Sequence, residues 1–148
     1  MLIVSSGYKR SILGTKSFAD LFDGGEIRLF SGPRPASSDM GEPAAPMARI
    51  NTVGLASPGL RFVLADTYVV KPLNEVWNLF ANKPGQVLWW RLVGPVDDGL
   101  DSITAARIDG DVGSTASPSD LTLTKTTFNA GDILQIDSFL YTLPPVGI

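Results

Sequence analysis

Residues 105–143 read AARIDGDVGSTASPSDLTLTKTTFNAGDILQIDSFLYTL. Ala105 to Ile108, Leu121 to Thr124 and Ile133 to Leu143 are runs suited to a pleated surface, and Asp109-Gly110 and Asn129-Ala130-Gly131 break them. Short apolar and β-branched runs punctuated by Gly, Asn and Asp predict strands joined by turns.

The same rhythm runs back toward the N-terminus. Val76 to Ala81 and Gln86 to Val93 flank Asn82-Lys83-Pro84-Gly85, which predicts a hairpin. Arg61 to Val70 and Met47 to Leu55 form two more strands around Ser57-Pro58-Gly59, and Glu26 to Phe30 another, with Ile27 and Leu29 on one side. Ser17 before Phe18-Ala19-Asp20-Leu21-Phe22, with Asp23-Gly24-Gly25 after it, predicts one short capped helix. About eight short strands with recurring turn signals place residues 1–148 in one all-β domain, a β-sandwich or jelly roll. Ser31 to Pro46 carries four prolines and no hydrophobic period, which predicts a long surface loop or an arm reaching for a neighbour. That stretch and the residues before Ser17 are expected to order on assembly.

Composition bounds the function. Charged residues are 18% of 148, below the usual quarter, while hydrophobic residues reach 44% at a mean hydropathy of +0.15, so part of the apolar surplus is expected to face a partner. The net charge of −3 divides into +1 over residues 1–50 (six basic, five acidic) and −4 over 51–148 (six basic, ten acidic). Without a basic stripe, nucleic acid is not an expected ligand. The apolar opening Met1-Leu2-Ile3-Val4 meets Lys9-Arg10 too soon for a signal-peptide core or a membrane span, so synthesis in the cytoplasm and no membrane partner are expected.

The chain has no histidine and no cysteine. It therefore lacks the usual proton carrier near neutral pH, the thiolate nucleophile and the soft metal ligands, and neither enzymatic activity nor a cofactor is expected. The acid-rich segments Asp97-Asp98-Gly99-Leu100-Asp101 and Asp109-Gly110-Asp111 have the oxygen donors a calcium ion takes, but not the full loop spacing, and Asp and Gly also simply make turns.

Two strands are two-faced. Ile133 to Leu143 puts Leu134, Ile136 and Leu140 on one face and Ile133, Phe139, Tyr141 and Leu143 on the other, so it is expected either central in the sandwich or covered by another subunit. Gln86 to Val93 puts Leu88, Trp90 and Leu92 on one side and Val87, Trp89, Arg91 and Val93 on the other, and two adjacent Trp cannot both enter one core. Trp77 and Trp90 are expected in the core. Trp89 with Val87 and Arg91 is the expected interface, joined by Pro33, Arg34 and Pro35 of the arm, and a two-fold homodimer is the expected way to cover it.

Ile27-Arg28-Leu29-Phe30-Ser31-Gly32-Pro33-Arg34-Pro35-Ala36-Ser37-Ser38-Asp39, Trp89-Trp90-Arg91-Leu92, Ala106-Arg107-Ile108-Asp109-Gly110-Asp111-Val112-Gly113, Asp120-Leu121-Thr122-Leu123 and Asp137-Ser138-Phe139 together resemble the small virion structural proteins of tailed bacteriophages, closest to the jelly-roll capsid cement or decoration type. The resemblance implies a non-catalytic subunit on the capsid surface that bridges major capsid proteins and stabilises the head. A tail, collar or fibre-attachment subunit is the alternative within the virion. A carbohydrate-binding β-sandwich module is the alternative outside it.

Overall fold

The computed structural model describes residues 2–54, 58–114 and 121–142. Its elements are β1 (Ile3–Val4), α1 (Ser6–Leu13), α2 (Phe18–Phe22), β2 (Glu26–Phe30), β3 (Ala48–Val53), β4 (Val63–Ala65), β5 (Tyr68–Val70), β6 (Val76–Ala81), β7 (Gly85–Gln86), β8 (Trp89–Val93), β9 (Arg107–Ser114), β10 (Leu121–Leu123), β11 (Thr127–Phe128), β12 (Ile133–Ile136) and β13 (Leu140–Thr142). The main sheet has eight strands in the order β1-β9-β8-β2-β3-β6-β12, with β10 also on β9; β13-β5-β4 and β11-β7 form smaller sheets.

Alternation along each strand gives the main sheet two unlike faces. In register across it runs one apolar row, Leu134-Leu79-Ile50-Ile27-Leu92-Ile108-Val4. One residue along on every strand runs a second row, Ile133-Phe80-Arg49-Arg28-Arg91-Asp109-Ile3, which points the opposite way. The first row faces the core. Helices α1 and α2 and the small β13-β5-β4 sheet cover that face, so the fold is an all-β sandwich with unequal layers.

The seal between the layers is aromatic. Phe18 of α2 meets Phe22 at 4.8 Å, Phe62 at 5.1 Å and Tyr141 of β13 at 5.0 Å between ring centres, while Phe62 and Phe139 each reach Trp77 at 5.6 Å. Trp77 Nε1 donates to Glu75 Oε2 at 2.8 Å, which satisfies the indole and fixes the chain entering β6. Helix α2 carries the expected Ser17 cap, completed by Asp20 into a reciprocal capping box.

Several expectations need correction. Strands β6 and β8 do not form a hairpin: β6 lies between β3 and β12, and β8 between β2 and β9. The Asn82–Gly85 turn instead sends the chain to the far half of the sheet. Asp109-Gly110 is no break, because β9 runs straight through it and the Trp90 ring lies on Gly110, where a Cβ would stand 2.6 Å from ring carbons. Arg61 to Val70 is two strands hinged at Asp66, whose φ of 57° makes the tight turn. Ile133 to Leu143 is likewise two strands in different sheets, so part of its two-faced pattern records a change of sheet, while Ile133 and Leu140 stay exposed. Leu55, Ser57 and Leu143, the limits of three sequence-read segments, lie outside the described residues.

The N-terminus is built in, not loose. Ile3 and Val4 pair with β9, and α1 follows at once. Ser5 explains the helix: its Oγ accepts from Tyr8 N at 3.1 Å and from Arg107 N at 2.8 Å, and donates to Ala105 O at 2.8 Å. Gly7, which reads as a helix-breaker, is required, since a Cβ there would sit 2.3 Å from the Thr104 carbonyl oxygen.

Candidate functional site

The expected interface lies inside the molecule. Trp89 is 1% exposed and Arg91 0%, and Val87 is as closed as Trp89. Both Trp of the pair are buried because the sheet has a second covered face, so Trp90 enters the core while Trp89 stacks on Phe30 at 4.2 Å on the other side. The Arg91 guanidinium lies 5.5 Å from the Trp89 ring centre. Trp89, Val87 and Arg91 therefore present no surface to a partner, and the patch that a two-fold dimer was to cover does not exist at that place.

Val87 packs in the main core, and what covers Arg91 on the other face is the proline-rich stretch itself. It lies back across its own sheet as a strap instead of reaching away, and the charged row fastens it. Arg91 Nε and Nη2 grip Asp109 at 2.7 and 2.8 Å while Nη1 donates to Met40 O at 2.9 Å. Arg107 makes the same fork with Asp97, at 2.7 and 2.9 Å, and donates to Leu100 O at 2.6 Å and Ser38 O at 3.3 Å. Arg28 reaches Glu42 at 2.6 Å and Asp97 O at 2.9 Å. Asp39 closes the strap on α1, its two oxygens accepting from Ser6 N at 2.7 Å and Ser6 Oγ at 2.6 Å. Arg34 pairs with Asp111 at 3.4 Å; Pro33 is exposed and Pro35 half-buried.

This network sets the electrostatics. Burial works to raise the Asp97 carboxyl, but the Arg107 fork and the Gly99 N–H outweigh it and hold the group below the usual carboxylate range. Burial works to lower Arg107 and its bonds to Asp97 keep it raised. Asp39 is held low by the two Ser6 hydrogen bonds. The acidic segment thus spends its oxygens inside the chain: Asp98 Oδ1 accepts from Leu100 N at 3.0 Å and Asp101 Oδ1 from Gly41 N at 2.6 Å. Among the described residues no three acidic side chains converge to hold a metal ion.

The exposed apolar surface is elsewhere. Val63, Val70 and Leu140 form a register row across the small sheet, and with Pro72, Leu73 and Phe139 they line a groove of about 740 Å3. Val63 is 46% exposed, Leu140 60%, and Leu73 fully. The groove lies where two connections, 71–75 into β6 and 137–139 out of β12, cross between the sheets. A second apolar set stands on the half of the outer face that the strap leaves bare, where Val53, Val76, Phe80 and Ile133 flank the amide row Asn51-Asn78-Gln135. The sequence signal for the groove was present in Val69-Val70 and Phe139-Leu140, apolar at both parities, but which of each pair turned outward depended on the second sheet.

No family model, curated protein or solved structure matches the chain. Two features carry the chemistry of the site: a charged face whose arginines and carboxylates pair under a strap, and an open, mainly apolar groove that Lys71 and Asp137 also line. Among the described residues no helix is long and apolar enough to cross a membrane.

Proposed function

We propose that the chain is a non-enzymatic structural subunit that works by burying the Val63-Val70-Leu140 groove against a protein partner. The assembly in this reading is the head of a tailed bacteriophage, where the chain acts as a capsid cement or decoration protein on the major capsid protein at the virion surface. The observation that carries the burial is the groove itself: an aliphatic surface with Leu73 wholly exposed is what soluble proteins reserve for partners. The capsid as its place rests on the sequence resemblance of the strap, β8 and β9 segments. Absence of histidine and cysteine, and carboxylates already engaged by arginine, support the lack of catalysis.

A second copy of the chain is the other partner in this reading. Its contact moves from Trp89 to Phe80 and Ile133 on the bare half of the outer face, next to the edge strand β12. The sugar-binding reading draws less support, because Phe139 is the one aromatic residue among the described residues that line the groove, so no platform of exposed rings stands there.

The test is co-sedimentation with capsid shells that lack the chain. Wild-type protein sediments with the shells, and Leu73→Glu with Leu140→Glu, both at exposed positions that leave the core intact, weakens that binding by at least about tenfold. Wild-type protein that stays in the supernatant contradicts the capsid role, and a double variant that binds as well as wild type removes the groove from the contact.

A further inference from the structure

A cavity of about 290 Å3 lies between the inner face of the main sheet and the last strand, walled by Ile27, Trp90, Leu121, Phe139 and Tyr141 and opening past Leu2. Its chemistry is unusual in one respect. The Trp90 side chain is 97% buried by its 3% exposure, yet its Nε1–H has no acceptor among the described residues. A buried donor left unpaired is costly, and such groups normally meet a partner. Thr122, Ser138 and Thr142 also line the cavity, and the Tyr141 hydroxyl in its wall bonds that of Tyr8 at 3.1 Å. The Nε1 edge lies toward β9, where a Cβ on Gly110 would stand 2.7 Å from it, and that is the side on which β10 supplies the Leu121 wall. Trp89 also has an unpartnered Nε1, but its ring stacks on Phe30 at the opposite face of the sheet and does not line this cavity.

From the cavity and the orphan donor together, we infer that this is a binding site for a small uncharged molecule with an apolar body and one hydrogen-bond acceptor, which accepts from Trp90 Nε1. The absence of a charge follows from the wall, since among the described residues none that line the cavity is Asp, Glu, Lys or Arg. Size follows from volume. A dry engineered cavity of about 150 Å3 takes a benzene ring, so this one takes a ring with a substituent of a few heavy atoms. The acceptor belongs on the substituent, against Trp90, and the ring against Ile27, Leu121 and Phe139. The cavity opens beside Leu2 and β10 and shares Ser138, Phe139 and Leu140 with the groove, but its Trp90, Ile27 and Leu121 walls take no part in the groove.

The experiment compares acetophenone with α-methylstyrene, which has the same shape but a CH2 in place of the carbonyl oxygen. Each is titrated into the wild-type protein while the assigned Trp90 indole N–H resonance is followed by 1H–15N NMR, with the melting temperature as a second readout. Acetophenone is expected to shift that resonance saturably downfield, to bind about tenfold or more tighter than α-methylstyrene, and to raise the melting temperature as mass action requires. Leu121→Trp, which places a larger side chain in the cavity wall, is expected to weaken acetophenone binding; should that variant not fold, the isosteric pair on the wild type decides alone. No saturable shift up to the solubility limit, equal affinity for the two probes, or undiminished acetophenone affinity in folded Leu121→Trp each overturns the inference.

Discussion

Replacing Trp89 with Ala separates a structural role from a contact role for this residue. The side chain is almost wholly buried, stacked on Phe30 at 4.2 Å and beside the Arg91 guanidinium at 5.5 Å. Burying a Trp removes on the order of 150 to 250 Å2 from water, which at about 25 cal/mol per Å2 is about 4 to 6 kcal/mol. The stacked pair adds about 1 kcal/mol. Against this, removing the unpartnered Nε1–H relieves about 1 to 3 kcal/mol. The net expected loss is about 4 kcal/mol, within the usual range for truncating a buried Trp. For a chain of this length that corresponds to a fall in Tm of about 8 to 16 °C. The assay is urea unfolding followed by circular dichroism, with sedimentation velocity on the folded variant. An unchanged urea midpoint together with weakened association would refute the burial of Trp89.

Further outcomes follow from the same geometry. Asp109→Ala leaves Arg91 buried and unpaired and is expected to cost about 3 to 5 kcal/mol, whereas the Arg91→Met, Asp109→Leu double variant costs less than either single change; equal or larger loss in the double variant by urea titration contradicts a desolvated pair. Ser5→Ala removes the α1 cap and strands Arg107 N and Ala105 O, so a loss of about 2 kcal/mol is expected from thermal melts, with near-wild-type stability as the contrary result. Asp97 and Asp39 have folded pKa values below their unfolded ones, so the stability they give is present above about pH 4 and is lost as pH falls through the folded values. Asp23, which burial raises, costs stability above its unfolded pKa, and that cost is relieved as pH falls toward it, before the loss from Asp97 and Asp39 sets in. The urea midpoint is therefore expected to drop between pH 5 and pH 2, by less in Asp97→Asn; an identical drop in that variant would exclude Asp97 as a source.

Much of the fold was legible because its cause is local. Ser17 with Asp20 announces a capped helix, and Ile27-Arg28-Leu29 announces a strand with one apolar face, without knowledge of any neighbour. What escaped depends on the partner strand. Gly110 reads as a turn until Trp90 is placed on top of it, and Gly7 reads as a break until the Thr104 carbonyl is placed against it. The Asn82–Gly85 turn has hairpin chemistry, yet β6 already has β3 and β12 as neighbours and leaves β8 no edge to take. The misplaced interface has a similar origin. Alternation correctly separated Trp89 from Trp90, but the sequence offered no sign that three arginines would fold Ser38, Met40 and Glu42 back over the second face. In retrospect, Arg28, Arg91 and Asp109 share one parity on three strands, a charged row that only a covering segment could satisfy.

The proposed capsid role turns on what the apolar groove touches. Cryo-electron microscopy of assembled phage heads carrying this chain measures that directly, at a resolution that places side chains. The expected result is density for the chain on the outer capsid surface, with Val63, Leu73 and Leu140 buried against the major capsid protein and the strap still lying over Arg91. Heads without the chain, or a chain seated with that groove open to solvent, would contradict it.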